Sequence, residues 1–238
     1  MRQIFQSLPW IHPVEPEEIT DIYLKHGVRR HVKRGEILKH GGQSPKLFFL
    51  EKGLCAYFVG GRVKNRPSVL SLILPGRTMG DITCFTKDKV NVLSLALKDS
   101  TVLEVDPFAV LEESKKNPDL MLQLGRLLIH KQESHMEGLL ANFTLPAADR
   151  IKVLVKALFL SYRLPIRRDD WNVVPLRLNN EQLALIVNLT RISVSKILSE
   201  WQEAGLARKD GMTLLVRAEL LDGIYDWMDE PAAPPLGY

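Results

Sequence analysis

A change of period near residue 117 constrains this chain more than any other feature. Over residues 28–105, glycines at Gly35, Gly41-Gly42, Gly53, Gly60-Gly61, Gly76 and Gly80 cut the sequence into short β-prone runs: 47–50, 55–59, 69–74, 92–97 and 101–105. Gly60-Gly61 supplies the positive φ that a tight hairpin needs. Strands at this spacing, with turns between them, form a small sandwich or barrel. From Asn117-Pro118 onward one face recurs every three or four positions instead, at Leu120, Leu124, Leu127 or Leu128, Lys131, and Ser134 or His135, continuing to Leu139 and Phe143. Asn117 offers a capping oxygen and Pro118 suits the first helical position. About 25 residues of helix span roughly 38 Å at 1.5 Å per residue, long for one small domain. Gly125 and Gly138 each cost the helix about 1 kcal/mol relative to alanine, a cost that close approach of a second helix explains. A dimer seam through Leu120, Leu124, Leu127 and Leu128 is the resulting expectation.

Leu145-Pro146 ends that helix and marks a domain boundary. An amphipathic helix over 147–162 follows, with Ile151, Leu154, Val155 and Leu158 on one stripe. The organisation expected is a sensory unit over 1–116, a dimerisation helix over 117–145, a DNA-binding domain over 146–221 and a tail over 222–238. The last of these is proline-rich and expected to be disordered. The fold class is α+β.

Residues 178–205 carry the most specific pattern. A short helix from Asn180 to Val187 buries Leu183, Ile186 and Val187, and Asn188 suits the left-handed backbone of a sharp turn. Thr190 then caps a helix from Arg191 to Ala204 that Gly205 ends. Val194, Ile197, Leu198 and Trp201 form the inner side of this helix, while Arg191, Ser193, Ser195, Lys196 and Glu200 face outward. Two helices on a three-residue turn, the second basic at its start, match a helix-turn-helix that reads a major groove. A hairpin over 206–216, turning at Asp210-Gly211, adds a wing. The charge distribution agrees. The whole chain has 32 Lys+Arg against 28 Asp+Glu, a net charge of +4. Between Asp149 and Arg217 there are twelve basic residues and seven acids, so this stretch carries at least the whole excess and suits a polyanion.

A glycine-punctuated β-roll (a double-stranded β-helix or jelly roll), a long dimer helix and a winged helix-turn-helix, in that order, resemble the CRP/FNR superfamily of bacterial transcription regulators. The resemblance runs from about residue 28 to 221. It includes Arg34-Gly35-Glu36-Ile37-Leu38, Leu74-Pro75-Gly76 and Ala96-Leu97-Lys98-Asp99-Ser100. It implies a cytoplasmic homodimer that binds a pseudo-palindromic site in double-stranded promoter DNA, with RNA polymerase as a partner and no membrane. It also implies control by a small-molecule effector in the roll. By position, Arg191, Ile192 and Lys196 match the family's base-contacting residues, with Thr190, Ser193 and Ser195 able to reach phosphates or bases. Ile192 replaces the usual glutamate, which removes an acceptor for cytosine, and Lys196 replaces an arginine.

The same likeness places an effector at Gly80, Asp81, Ile82, Thr83, Cys84, Phe85, Asn91 and Val92. The family's cyclic-nucleotide binders carry Gly-Glu here and an Arg-Ser some ten residues on; this chain has Gly80-Asp81 and Val90-Asn91-Val92. Without a guanidinium fork a cyclic phosphate lacks its bidentate partner, so the effector is expected not to be cyclic AMP. Ile82, Cys84, Phe85 and Val92 suit an apolar or weakly polar ligand better. Two cysteines, Cys55 and Cys84, cannot ligate an iron–sulfur cluster. Haem ligation finds no matching axial residue. His130 and His135 lie on different helix faces and are expected to be solvated or seam residues, and no metal site follows from any histidine spacing. No cluster of histidines and carboxylates supports catalysis, so an enzyme on a jelly-roll scaffold is disfavoured. A ligand-binding module acting on protein partners, with a degenerate helix-turn-helix, is the remaining alternative.

Overall fold

The computed structural model describes residues 3–39, 46–60, 67–81 and 92–224. Ile82, Thr83, Cys84, Phe85 and Asn91, and the tail beyond 224, lie outside the described residues. The chain begins with a non-regular segment over 3–16, then α1 (Glu17–His26) and eight strands: β1 (Val28–Val32), β2 (Ile37–Lys39), β3 (Leu47–Lys52), β4 (Cys55–Val59), β5 (Ser68–Ile73), β6 (Arg77–Met79), β7 (Val92–Ala96) and β8 (Ser100–Val105). These form two four-stranded antiparallel sheets, ordered β1-β8-β3-β6 and β2-β7-β4-β5. Their shared interior holds Val32, Leu50, Cys55, Tyr57, Ile73, Met79 and Val102. Positive φ at Gly35, Gly53, Gly76 and Gly80 turns the chain between strands.

Helices follow: α2 (Pro107–Lys116), α3 (Pro118–Thr144) and α4 (Ala147–Ser161). The Asn117 side chain accepts from the Asp119 and Leu120 backbone amides to start α3. The α3 stripe does not serve as expected. Leu120, Leu124 and Leu127 are buried within their own chain, against Ile19, Tyr23, Phe49, Leu103 and Val110. Leu128 is half-buried. Leu120, Leu124 and Leu127 thus anchor α3 to the roll and α1 instead of facing a second subunit. The apolar side chains α3 leaves exposed are Met121, Leu122, Ile129, Met136, Leu139 and Phe143. Gly138 also answers to a different neighbour: an added Cβ would lie 2.5 Å from Trp10 Cδ1, whereas at Gly125 it would meet nothing within 4 Å. Gly138 accommodates the N-terminal segment, not a second helix.

That segment, unforeseen from the sequence, is a strap between the roll and α3. Ile11 makes a parallel bridge to Leu72 on the edge strand β5. The Trp10 amide donates to Ser134 O at 3.3 Å, and the Glu15 amide to Gly76 O at 2.9 Å. Glu137 Oε1 accepts from the Ile4 and Phe5 amides, both at 2.7 Å.

The C-terminal part holds β9 (Asn172–Val173), α5 (Asn180–Ile186), α6 (Arg191–Glu203), β10 (Ala207–Asp210), β11 (Thr213–Val216) and a 3-10 turn (Ala218–Leu221). Its strands form an antiparallel sheet ordered β10-β11-β9. A continuous core joins Trp10, Leu54 and Leu72 of the N-terminal part to Leu154, Leu158, Ile186, Val194 and Trp201. The Asn142 Nδ2 group, on α3, reaches Ile186 O at 3.4 Å across this contact.

Candidate nucleic-acid interface and a buried polar cluster

Local chemistry builds the helix pair. Asn179 accepts from the Gln182 amide while the Gln182 side chain accepts from the Asn179 amide, a capping box that starts α5. Asn188 turns the chain with φ of 50°. Thr190 Oγ1 accepts from the Ser193 amide at 3.0 Å and lies 2.8 Å from Ser193 Oγ, so both hydroxyls begin α6 as mutual partners. Val194, Ile197, Leu198 and Trp201 are buried against α5 and the sheet behind it. The opposite face presents Arg191, Ile192, Ser195 and Lys196 to solvent, with Ile192 81% exposed. Lys196 Nζ is 3.9 Å from Glu200 Oε1, an exposed i,i+4 pair that holds the lysine only loosely. An open groove of about 380 Å³ separates the starts of α5 and α6 from the β10–β11 wing; Arg191 and Lys209 are among its lining residues.

A second constellation lies between the roll, the strap and α3. The ammonium of Lys131, fully buried, donates to Glu15 Oε1 at 2.7 Å and to Asp81 Oδ2. Glu15 Oε1 also accepts from the Thr78 amide at 2.9 Å. Burial opposes charge on Lys131, but Asp81 and Glu15 outweigh it and hold the ammonium above its ordinary pKa. Burial likewise raises the Glu15 carboxyl, with Lys131 opposing. One helical turn along α3, His135 Nε2 lies 2.8 Å from His12 Nε2, and Ser71 Oγ is 3.1 Å from both. Burial pushes His135 down to about 4, and burial with the nearby His135, Lys131 and Arg77 charges keeps His12 well below its ordinary range. Both rings are therefore neutral near pH 7. Tyr57 presents its ring edge to them and its hydroxyl accepts from the Gly80 amide at 2.6 Å.

Arg77 ties this cluster to the C-terminal part. Its Nε donates to His12 O at 2.6 Å, Nη1 to Pro75 O at 2.8 Å and Nη2 to Ser161 Oγ at 2.6 Å at the end of α4. Burial lowers its pKa to about 10.

Of the sequence-derived effector residues, Gly80 and Asp81 reach this cluster, and Val92 packs in the roll interior. The reading of His135 as solvated or part of a seam was wrong: it is 5% exposed and paired with His12 across 123 residues. Glu15, Lys131, Ser71 and Arg77 were missed as members. Lys131 alone carried a signal, a lysine set into an apolar stripe. Among the described residues no group of three or more His, Cys, Asp or Glu side chains could hold a metal ion. Cys55 is buried, with its thiol pushed up to about 11.

A roll, a long helix and a capped helix pair with an exposed basic face define a DNA-binding transcriptional regulator. Comparisons with known proteins point the same way. Residues 154–222 match the Crp-like helix-turn-helix domain. The chain is 24% identical over 222 residues to the cyclic AMP receptor protein of Thermus thermophilus, covering 91% of this chain and 96% of that one. It is also 24% identical over 213 residues to the HTH-type transcriptional regulator ArcR of Staphylococcus aureus, covering 88% of each. In fold it is similar to FixK2 from Bradyrhizobium japonicum, with a TM-score of 0.70 at 16% identity over 87% of this chain and 99% of that one. The chain thus carries a Crp-like helix-turn-helix domain and is similar along most of its length to these transcription regulators. No helix among the described residues is long and apolar enough to cross a membrane.

Proposed function

We propose that the chain works as a homodimer that binds a pseudo-palindromic promoter site through α6, under control of a small molecule held between the roll and α3. Division of labour follows the expected bounds: sensing over 1–116, dimerisation over 117–145 and DNA binding over 146–221. The observation that carries this reading is the free outer face of α6, where Arg191, Ile192, Ser195 and Lys196 stand clear of the fold. Arg191 and Lys196 can donate to guanine, and the Ile192 methyls suit a thymine methyl. Thr190 and Ser193, already bonded to each other, are left to reach phosphates. A promoter-bound regulator of this kind implies RNA polymerase as a further partner.

Dimerisation is supported by a different set of residues from those first singled out. Leu122, Ile129, Met136 and Phe143 recur every seven positions, and Gly125, Gln132 and Leu139 form the alternate row. The exposed apolar row, joined by Leu139 of the alternate row, suits packing as a two-helix seam. Two half-sites about 34 Å apart then engage both copies of α6. For the effector, the Lys131–Glu15–Asp81 triad and the histidine pair supply buried polar groups between the roll and α3, beside the residues expected to hold it. Asp81, already paired to Lys131, supports an effector other than cyclic AMP, although a relative carries that name.

Selection from random duplexes tests the DNA reading. Arg191→Ala is expected to cost about 1–3 kcal/mol and relax one base pair. Ile192→Glu is expected to move preference toward G·C at its step; an unchanged preferred sequence would show that α6 is not docked this way.

A further inference from the structure

A pocket opens where the strap, the end of α3 and α4 meet. Its walls are apolar: Ile4 and Leu8 come from the strap, Ala141 from α3, and Val153, Ala157 and Leu160 from one face of α4. Among the described residues, no strand of the roll and no part of α6 lines it. The pocket is small, about 40 Å³ against the ~10–15 Å³ that one water needs, so a short alkyl chain or a single ring fits. Glu137 is the one charged side chain among the described lining residues, and it is only 4% exposed. Its Oε1 accepts from the Ile4 and Phe5 amides, both at 2.7 Å, whereas Oε2 has no partner among the described residues.

A carboxylate taken out of water is costly unless a cation meets it. Burial pushes the Glu137 carboxyl up; the two strap amides hold it back, and Glu133, one turn earlier on α3, adds to the rise. Glu133 supplies no relief, being itself bonded by Ser7 Oγ at 2.8 Å and His130 Nδ1 at 2.9 Å. We propose that this pocket binds a small amphipathic cation, its ammonium donating to Glu137 Oε2 and its apolar end lying against Val153, Ala157 and Leu160. The charge-assisted hydrogen bond selects an amine over an alcohol of the same shape, and the two carboxylates repel an anion. This site is separate from the effector position between the roll and α3. Its occupant would touch the strap, α3 and α4 at once, and so fasten the N-terminal part to the helix that opens the C-terminal part.

The test titrates the full-length protein near pH 7 with benzylamine, and with benzyl alcohol and benzoate as neutral and anionic counterparts, by calorimetry and by melting temperature. Benzylamine is expected to bind about tenfold more tightly than benzyl alcohol and to raise the melting temperature, because it binds the folded state alone. Benzoate should not bind. Glu137→Gln keeps an oxygen for the Ile4 and Phe5 amides but puts a donor at the free position, so it should bring benzylamine down to the level of the alcohol. Val153→Phe, at a half-buried position, should fill the pocket and abolish binding of both; it keeps the test valid if Glu137→Gln does not fold. Equal affinity for amine and alcohol, or no benzylamine binding up to millimolar concentration, overturns the proposal. So does benzylamine binding that survives Val153→Phe, since the cation would then lie elsewhere. None of these outcomes touches the DNA-binding reading, which is measured on duplexes.

Discussion

Replacing Lys131 with methionine gives the most direct probe of the buried cluster. The side chains are similar in length, so packing along α3 changes little, but Glu15 and Asp81 lose the cation between them. Removing one partner of a buried pair costs about 3–5 kcal/mol, because a carboxylate remains in low dielectric without compensation. At about 2–4 °C per kcal/mol for a chain of this size, the melting temperature should fall by roughly 6–20 °C. The loss should depend on pH with a defined sign. Burial already raises Glu15 above its ordinary 4.5, so the folded state holds this proton more tightly than the unfolded state does. Its unfavourable contribution is absent below 4.5, grows as pH rises from there through the folded value, and is complete above it. Without Lys131 that folded value rises further, so the deficit should widen from pH 5.5 to pH 8. Lys131→Met combined with Glu15→Gln should recover part of it. Denaturant melts followed by circular dichroism at both pH values measure this. A loss below about 1 kcal/mol, or one equal at both pH values, would refute the buried triad.

Ile129→Glu should convert a dimer to monomer at micromolar concentration by sedimentation, and should weaken binding to a two-half-site duplex while sparing the fold. Leu124→Glu should instead lower the melting temperature, since it puts an unpaired carboxylate among Ile19, Phe49 and Val110; the reverse pattern would restore the leucine seam. Because His12 and His135 are neutral in the fold, stability should fall as pH drops from 6.5 toward 4, at up to about 1.4 kcal/mol per pH unit for each histidine. His135→Gln should remove one histidine's share of that slope, and an unaltered slope in acid titration of the melting curve would contradict the pairing.

The parts legible in the sequence are those set by short-range chemistry. Asn117 and Pro118 announce α3, Pro146 closes it, and the Asn179–Gln182 box, Asn188 and the Thr190 cap specify the helix pair nearly residue by residue. The strands were legible because glycine and alternation act within a few residues. The misread features share one cause. Leu124 and Ile129 are both apolar residues on one helix, and periodicity alone cannot say which face meets the chain's own roll and which meets solvent. The heptad at Leu122, Ile129, Met136 and Phe143 was present in the sequence, yet a stronger leucine stripe masked it.

By itself, then, the sequence determined the order of elements and the outer face of α6, since each follows from patterns that neighbouring residues enforce on one another. Only the tertiary structure decided what lies inside. The strap over 3–16 has no period of its own, and it is ordered by an edge strand and by Glu137 more than 100 residues away. Lys131 becomes a buried cation because Glu15 and Asp81 arrive from 116 and 50 residues away, and His135 becomes neutral because folding strips its water and sets the Lys131 charge near it. A charge's environment is a property of the packed interior, and no local stretch of sequence contains it.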